Sequence, residues 1–210
     1  MPKRITYLTK REDLPLAQFR VHWSTRHAAI AVELPGVVSY RQNHLASQRD
    51  TRYDIDGIVE LWFASDDVVS AGLASSVADR LIVDERLFLS GLVGGPVDAG
   101  EPTAPWRHKV WLLARWSGER TVDAVRDWAE TVAVQIRAAG FAVNITDDSG
   151  TPLVREALHA NPRPPQVAVC FGFSTSSSAA HAISQVRAAS AELTCVESVD
   201  IRIAEEVVIV

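Results

Sequence analysis

Hydrophobic and polar positions along this chain switch between a period of two and a period near 3.6, and the order of switching occurs twice. Arg4 to Lys10 alternates and carries β-branched and aromatic side chains, which predicts a strand. Lys10 to Asp13 breaks that pattern, and Asp13 is placed to cap a helix with Pro15 in its first turn. Leu16, Phe19, Trp23, His27, Ile30 and Leu34 then recur at helical spacing and form one apolar face, stopped by Pro35-Gly36. Two strands follow, Val37 to Leu45 and Gly57 to Phe63, around a polar loop from Ala46 to Asp56. Ser65-Asp66-Asp67 supplies caps for a second helix that runs to about Phe88 and breaks midway. Gly91 to Pro105, rich in glycine and proline, reads as a frayed fourth strand or a linker.

The order then recurs. His108 to Trp116 is a strand, and Glu119 to Ala139 is a helix with Val122, Val125, Trp128, Ala129, Val132 and Ile136 on one face. Phe141 to Thr146 and Val167 to Phe173 are strands, Ser176 to Leu193 is a helix behind a serine-rich cap, and Val196 to Val210 closes the chain. The expected fold is α+β: two ferredoxin-like β-α-β-β-α-β repeats, residues 1–105 and 106–210. One such repeat leaves a sheet face bare. Val59, Leu61 and Phe63 point one way and Ile58, Glu60 and Trp62 the other, so both faces carry large apolar groups and need cover. Covering a second face of ~500 Å² would contribute on the order of 12 kcal/mol before entropy. The second repeat can supply it, its sheet facing the first as an internal dimeric α/β-barrel whose mouth is a small-molecule cavity.

Composition narrows the function classes. The 210 residues are 47% hydrophobic and 22% charged, ordinary globular usage. A net charge of −5, with Lys and Arg scattered singly, argues against a nucleic-acid partner. No run approaches the roughly 18 apolar residues of a membrane helix, and no apolar stretch follows the basic residues near Met1. The two cysteines, Cys170 and Cys195, sit in apolar contexts and read as free thiols, so a cytoplasmic location is expected.

Trp23-x-x-x-His27, Leu34-Pro35-Gly36, Tyr40-x-x-Asn43-His44, Asp56-Gly57 and Glu60-x-Trp62-Phe63 together resemble the EthD family of the dimeric α/β-barrel superfamily. The resemblance spans Lys3 to about Phe88, and 109–210 looks like a degenerate second copy without the Trp/His and Asn-His motifs. It implies a small-molecule substrate or ligand and a homodimer as the assembly, although an internal pair can replace that contact. The superfamily includes cofactor-free isomerases, polyketide cyclases and dehydratases, small monooxygenases and heme proteins, so the fold alone does not select a reaction.

Three residues are candidate acid/base groups. His27 shares a helix face with Trp23, and an imidazole ordinarily titrates near neutrality; the bland alternative is a core histidine bonded to a carbonyl. His44 shares a strand face with Tyr40 and Gln42. If that face is the barrel interior, Tyr40 and His44 sit beside Glu60 and Trp62. Glu60, in mid-strand between apolar residues, is either paired with Arg4, Arg41 or Arg202 or carries a raised pKa. Tyr7, Trp23, Tyr40, Asn43 and Trp62 are the candidate substrate-binding residues, with barrel packing as the alternative for Tyr7 and Trp62. No histidine has metal-ligand spacing, and His22 and His27, five apart, fall off a common face. No metal and no cofactor are expected. These residues point to a cofactor-free dehydratase, cyclase or isomerase on a hydrophobic oxygenated molecule; a non-catalytic ligand-binding or accessory protein, a heme protein and a monooxygenase are the competing readings.

Overall fold

A computed structural model describes residues 1–47, 52–99, 103–161 and 163–210. The first half runs β1 (Lys3–Lys10), α1 (Leu16–His22), a π turn (Trp23–His27), α2 (Ala28–Ala31), β2 (Val37–Leu45), β3 (Gly57–Phe63), α3 (Asp66–Leu73), α4 (Ser76–Phe88) and β4 (Leu89–Asp98). The second runs β5 (His108–Trp116), α5 (Val122–Gln135), β6 (Gly140–Thr146), β7 (Val167–Phe173), α6 (Ser176–Ser190) and β8 (Val196–Val208). The α+β class and both β-α-β-β-α-β units are therefore present. The glycine-rich stretch from Gly91 is a strand as far as Asp98. Parts of the two expected loops, at 48–51 and 100–102, lie outside the described residues.

Asp13 does not cap α1. Arg11 holds its carboxylate at 2.6 Å, and Pro15, in extended geometry at φ −58° and ψ 141°, takes the cap position. Gly36, at φ +77°, adopts the left-handed conformation that turns the chain out of the helix. The midway break in the second helix is at Ala74-Ser75, where Ser75 Oγ accepts from the Ala78 N–H at 3.3 Å.

All eight strands close into one barrel in the order β1-β3-β2-β8-β5-β7-β6-β4. Each half supplies four adjacent strands, and the two sheets face each other across the interior, as expected, while also joining along their edges. Closure pairs most of the sheet edges. The two seams are unequal: β2 pairs β8 from Arg41–Val208 to Leu45–Ala204, whereas β4 and β6 pair only at Val97–Thr146 and Asp98–Ile145. Alternation then sorts the side chains. Ile5, Tyr7, Ile58, Trp111, Leu113, Ala168 and Cys170 fill the interior. Leu8, Tyr40, Val59 and Leu92 face the first pair of helices, and Val110, Leu112, Val169 and Phe171 face the second. The described residues thus form three apolar cores, one inside the barrel and one under each helical layer.

Candidate active site

The first helical layer is interrupted where the site lies. In an α-helix His22 and His27 would point to different sides. Here the backbone widens to a π turn, with the Ala28 N–H donating to Trp23 O, an i→i+5 bond. The extra residue brings both imidazoles onto one side, contrary to the expectation from α-helical spacing. They converge on Asp84 of α4: His22 Nε2 lies 3.0 Å and His27 Nδ1 3.1 Å from Oδ2, and Arg26 Nε lies 2.9 Å from Oδ1. Burial alone would raise the Asp84 pKa, but the hydrogen bonds from His27 and His22 outweigh it and hold the carboxyl below its usual range. An ionised Asp84 fixes the His27 Nδ1–H, and His27 Nε2 has no partner among the described residues. Asp84 was not singled out from the sequence. Its signal is an acid set three residues after Leu81 and four before Phe88, on the apolar stripe of α4.

His27 lines a narrow cleft of about 60 Å³ between the helices and the outer face of the first sheet. Arg4, Thr6 and Tyr40 supply its polar wall, while Leu8, Val59, Phe63 and Leu81 are among its apolar ones. Leu153 and Arg155 of the second half close one side, where Arg155 Nε bonds Glu85 at 2.6 Å. The Tyr40 hydroxyl accepts from Trp23 Nε1 at 3.1 Å and from Gln42 Nε2 at 2.7 Å. Its own proton remains available for donation. Burial raises the Tyr40 pKa against those two bonds, so it stays a neutral donor. Trp23 reaches the sheet because Gly57 leaves room: a Cβ there would lie 2.5 Å from the indole.

Residues 11–91 match the sequence model of the EthD domain. Over that span the amino-terminal half is similar to the EthD domain. The match takes in His27, Tyr40, Asp84 and Glu85, whereas Arg4, Leu153 and Arg155 lie beyond it. No curated protein matches the chain. Solved structures do, at the level of fold. A provisionally assigned monooxygenase from Fusobacterium nucleatum aligns over 99% of this chain and 93% of its own, at 10% identity and a TM-score of 0.60. An anthrone oxidase-like protein aligns over 98% and 91%, at 11% identity and 0.58. A mutant chlorite dismutase from Candidatus Nitrospira defluvii aligns over 97% and 91%, at 10% identity and 0.52. What these structures share with the chain is the fold.

The expected site residues divide between two sides of the EthD sheet. Register decides this: Tyr40 lies opposite Leu61 and Arg41 opposite Glu60, so Tyr40 and His44 share the helix-facing side and never meet Glu60 or Trp62. His44 stacks on Trp23 at 4.6 Å and donates from Nε2 to Gln42 Oε1 at 3.0 Å. Burial, reinforced by Arg20, pushes its pKa down to about 4, so it is neutral at pH 7. Glu60, Asn43, Tyr7 and Trp62 face the barrel interior. Glu60 is paired, but with lysines in place of the arginines expected: Lys3 Nζ at 2.6 Å and Lys109 Nζ at 2.7 Å, with Asn43 Nδ2 donating at 3.0 Å. Burial would raise its pKa, yet Lys109 and Lys3 together hold it far below the carboxylate range, the opposite of a raised value. Lys109 also pairs with Glu206, and Lys3 with Asn144 Oδ1 at 2.6 Å. A cavity of about 290 Å³ adjoins this cluster and is larger than the cleft, but its buried ammonium and carboxylate groups are spent on one another.

Proposed function

We propose that the EthD cleft is the active site of an acid/base enzyme acting on a small oxygenated molecule, without a cofactor. The observation that carries this reading is His27, anchored through Nδ1 to a buried carboxylate, without a partner on Nε2 among the described residues, and lining a cleft that Tyr40 also lines. Asp84 fixes the orientation of the imidazole through its Nδ1–H. Nε2 removes a proton from a carbon beside a carbonyl, and the Tyr40 O–H donates to the developing enolate oxygen. His27 then returns the proton to a leaving hydroxyl, which gives dehydration, to a second carbon, which gives isomerisation, or to the alkoxide formed when the carbanion attacks a second carbonyl, which gives ring closure. The leucine, valine and phenylalanine walls exclude water and strengthen both polar interactions. His44 and Glu60 are assigned to the framework, because one is neutral and stacked and the other is ion-paired.

Proton–deuterium exchange tests the first step without knowledge of the physiological substrate. Small enolisable ketones and keto acids in D₂O should exchange their α-hydrogens faster with the protein present. His27→Ala should lower that acceleration by roughly 10² to 10⁴, and Tyr40→Phe by less. Exchange that is unaffected by His27→Ala would rule the reading out. Product formation that requires dioxygen would keep the same carbanion step and redirect it to oxygenation.

A further inference from the structure

Arg4 stands on β1 on the helix-facing side of the sheet and lines the same cleft as His27 and Tyr40. It is only 8% exposed, yet it has no acidic partner among the described residues. Its one hydrogen bond runs from Nη2 to the Thr151 carbonyl at 2.8 Å. The nearby carboxylates are committed elsewhere: Glu85 to Arg155, and Asp84 to His22, His27 and Arg26. Burial lowers the Arg4 pKa, and no acid opposes that effect. Arg41 and Arg202, also buried, at least have a carboxylate within 4 Å, and Lys3 and Lys109 each sit against Glu60. An uncompensated guanidinium inside a fold is costly and marks a place where a counter-charge is brought in from outside.

We propose that Arg4 receives a carboxylate of the ligand, so that the cleft takes short apolar acids and sets their carbon chain against His27 and Tyr40. The planar guanidinium has four N–H donors left, and its fork geometry suits the two oxygens of a carboxylate better than a hydroxyl or amide. The cleft volume of about 60 Å³ corresponds to roughly four waters, which limits the chain to a few carbons. The placement of the chain beside His27 rests on the acid/base reading of this cleft; the carboxylate site itself does not.

Butyrate, 1-butanol and butylamine, titrated into the full chain at pH 7.5 and followed by amide and side-chain NMR shifts, test this. Butyrate should bind at least ten-fold more tightly than butanol, and butylamine should not bind. Arg4→Met should abolish that preference and raise Tm, since it removes a buried charge. Arg4→Gln retains a donor for Thr151 O and should lose the preference in the same way. Wild-type protein that binds butyrate and butanol alike, or that binds neither, overturns the proposal, as does butyrate binding that survives both substitutions. The two readings fail separately. Butyrate binding with no His27-dependent exchange of acetoacetate would remove the chemistry and keep the carboxylate site. Equal His27-dependent exchange of acetone and acetoacetate would do the reverse.

Discussion

The two halves build the same layer in different ways. In the second, α5 runs unbroken from Val122 to Gln135 and with α6 seals Val110, Leu112, Val169 and Phe171 under Val125, Trp128, Ala129 and Val132. Even the Trp128 indole is used, donating to the Ala189 carbonyl at 3.0 Å. The buried ionisable groups described in that half, Lys109, Asp200, Arg202 and Glu206, all lie on strand positions that face the barrel interior. In the first half the equivalent helix is broken by the π turn, and the layer beneath it admits Arg4, His27, Gln42, His44, Asp84 and Glu85. One extra residue in a helical turn therefore separates a filled layer from one with a polar cleft. The halves differ in the helix and also in the strand positions beneath it, where Arg4, Gln42 and His44 stand in the first half and Val110, Leu112, Val169 and Phe171 in the second.

Leu112→Ala, in the filled layer, should cost about 4 kcal/mol in urea unfolding, because nothing there can relax into the void. The same loss of volume at Leu81, which borders the cleft, should cost about 2 kcal/mol less. Equal costs would erase the distinction between a filled and an open layer.

Glu60→Gln probes the interior that both halves share. It leaves Lys3 and Lys109 buried with one carboxylate, Glu206, between them, and should cost about 3 kcal/mol. A neutral result would show that the lysines of the two halves do not depend on Glu60.

The smallest effect concerns His44. Its folded pKa, about 4, lies below its ordinary value, so between pH 6.5 and pH 4 the unfolded chain takes up a proton that the folded chain refuses. This contribution to stability is present above pH 6.5 and is lost as the pH falls through that window. It is worth on the order of 2 kcal/mol. His44→Phe keeps the stacking on Trp23 and should flatten the unfolding free energy between pH 7 and pH 4.5 by that amount relative to wild type. Parallel curves for the two proteins would mean that His44 titrates like a solvated imidazole.

Element order and the helix breaks were legible in the sequence because hydrophobic period and the glycine and proline signals act locally. The direction of the strand faces was not. Val59, Leu61 and Phe63 are as apolar as Ile58 and Trp62, so alternation gave two faces without saying which was inside, and Tyr40 and His44 were set beside Glu60. Only the pairing of Arg41 with Glu60 resolves this, and register is a tertiary property. The lysine partners of Glu60 were hidden for a similar reason, since Lys109 arrives from the other half of the chain. His27 was found from its place on the Trp23 face. Its partner was missed because α-helical spacing excluded His22 from that face, and only the π turn restores it.

The tautomer of His27, read from long-range proton–nitrogen NMR correlations of ¹⁵N-labelled protein, bears most directly on the asymmetry between the halves. The geometry predicts one neutral form, with the proton on Nδ1 toward Asp84 and a bare Nε2, that Asp84→Asn converts to a mixture. A His27 protonated on Nε2, or one whose signals ignore Asp84→Asn, would contradict it.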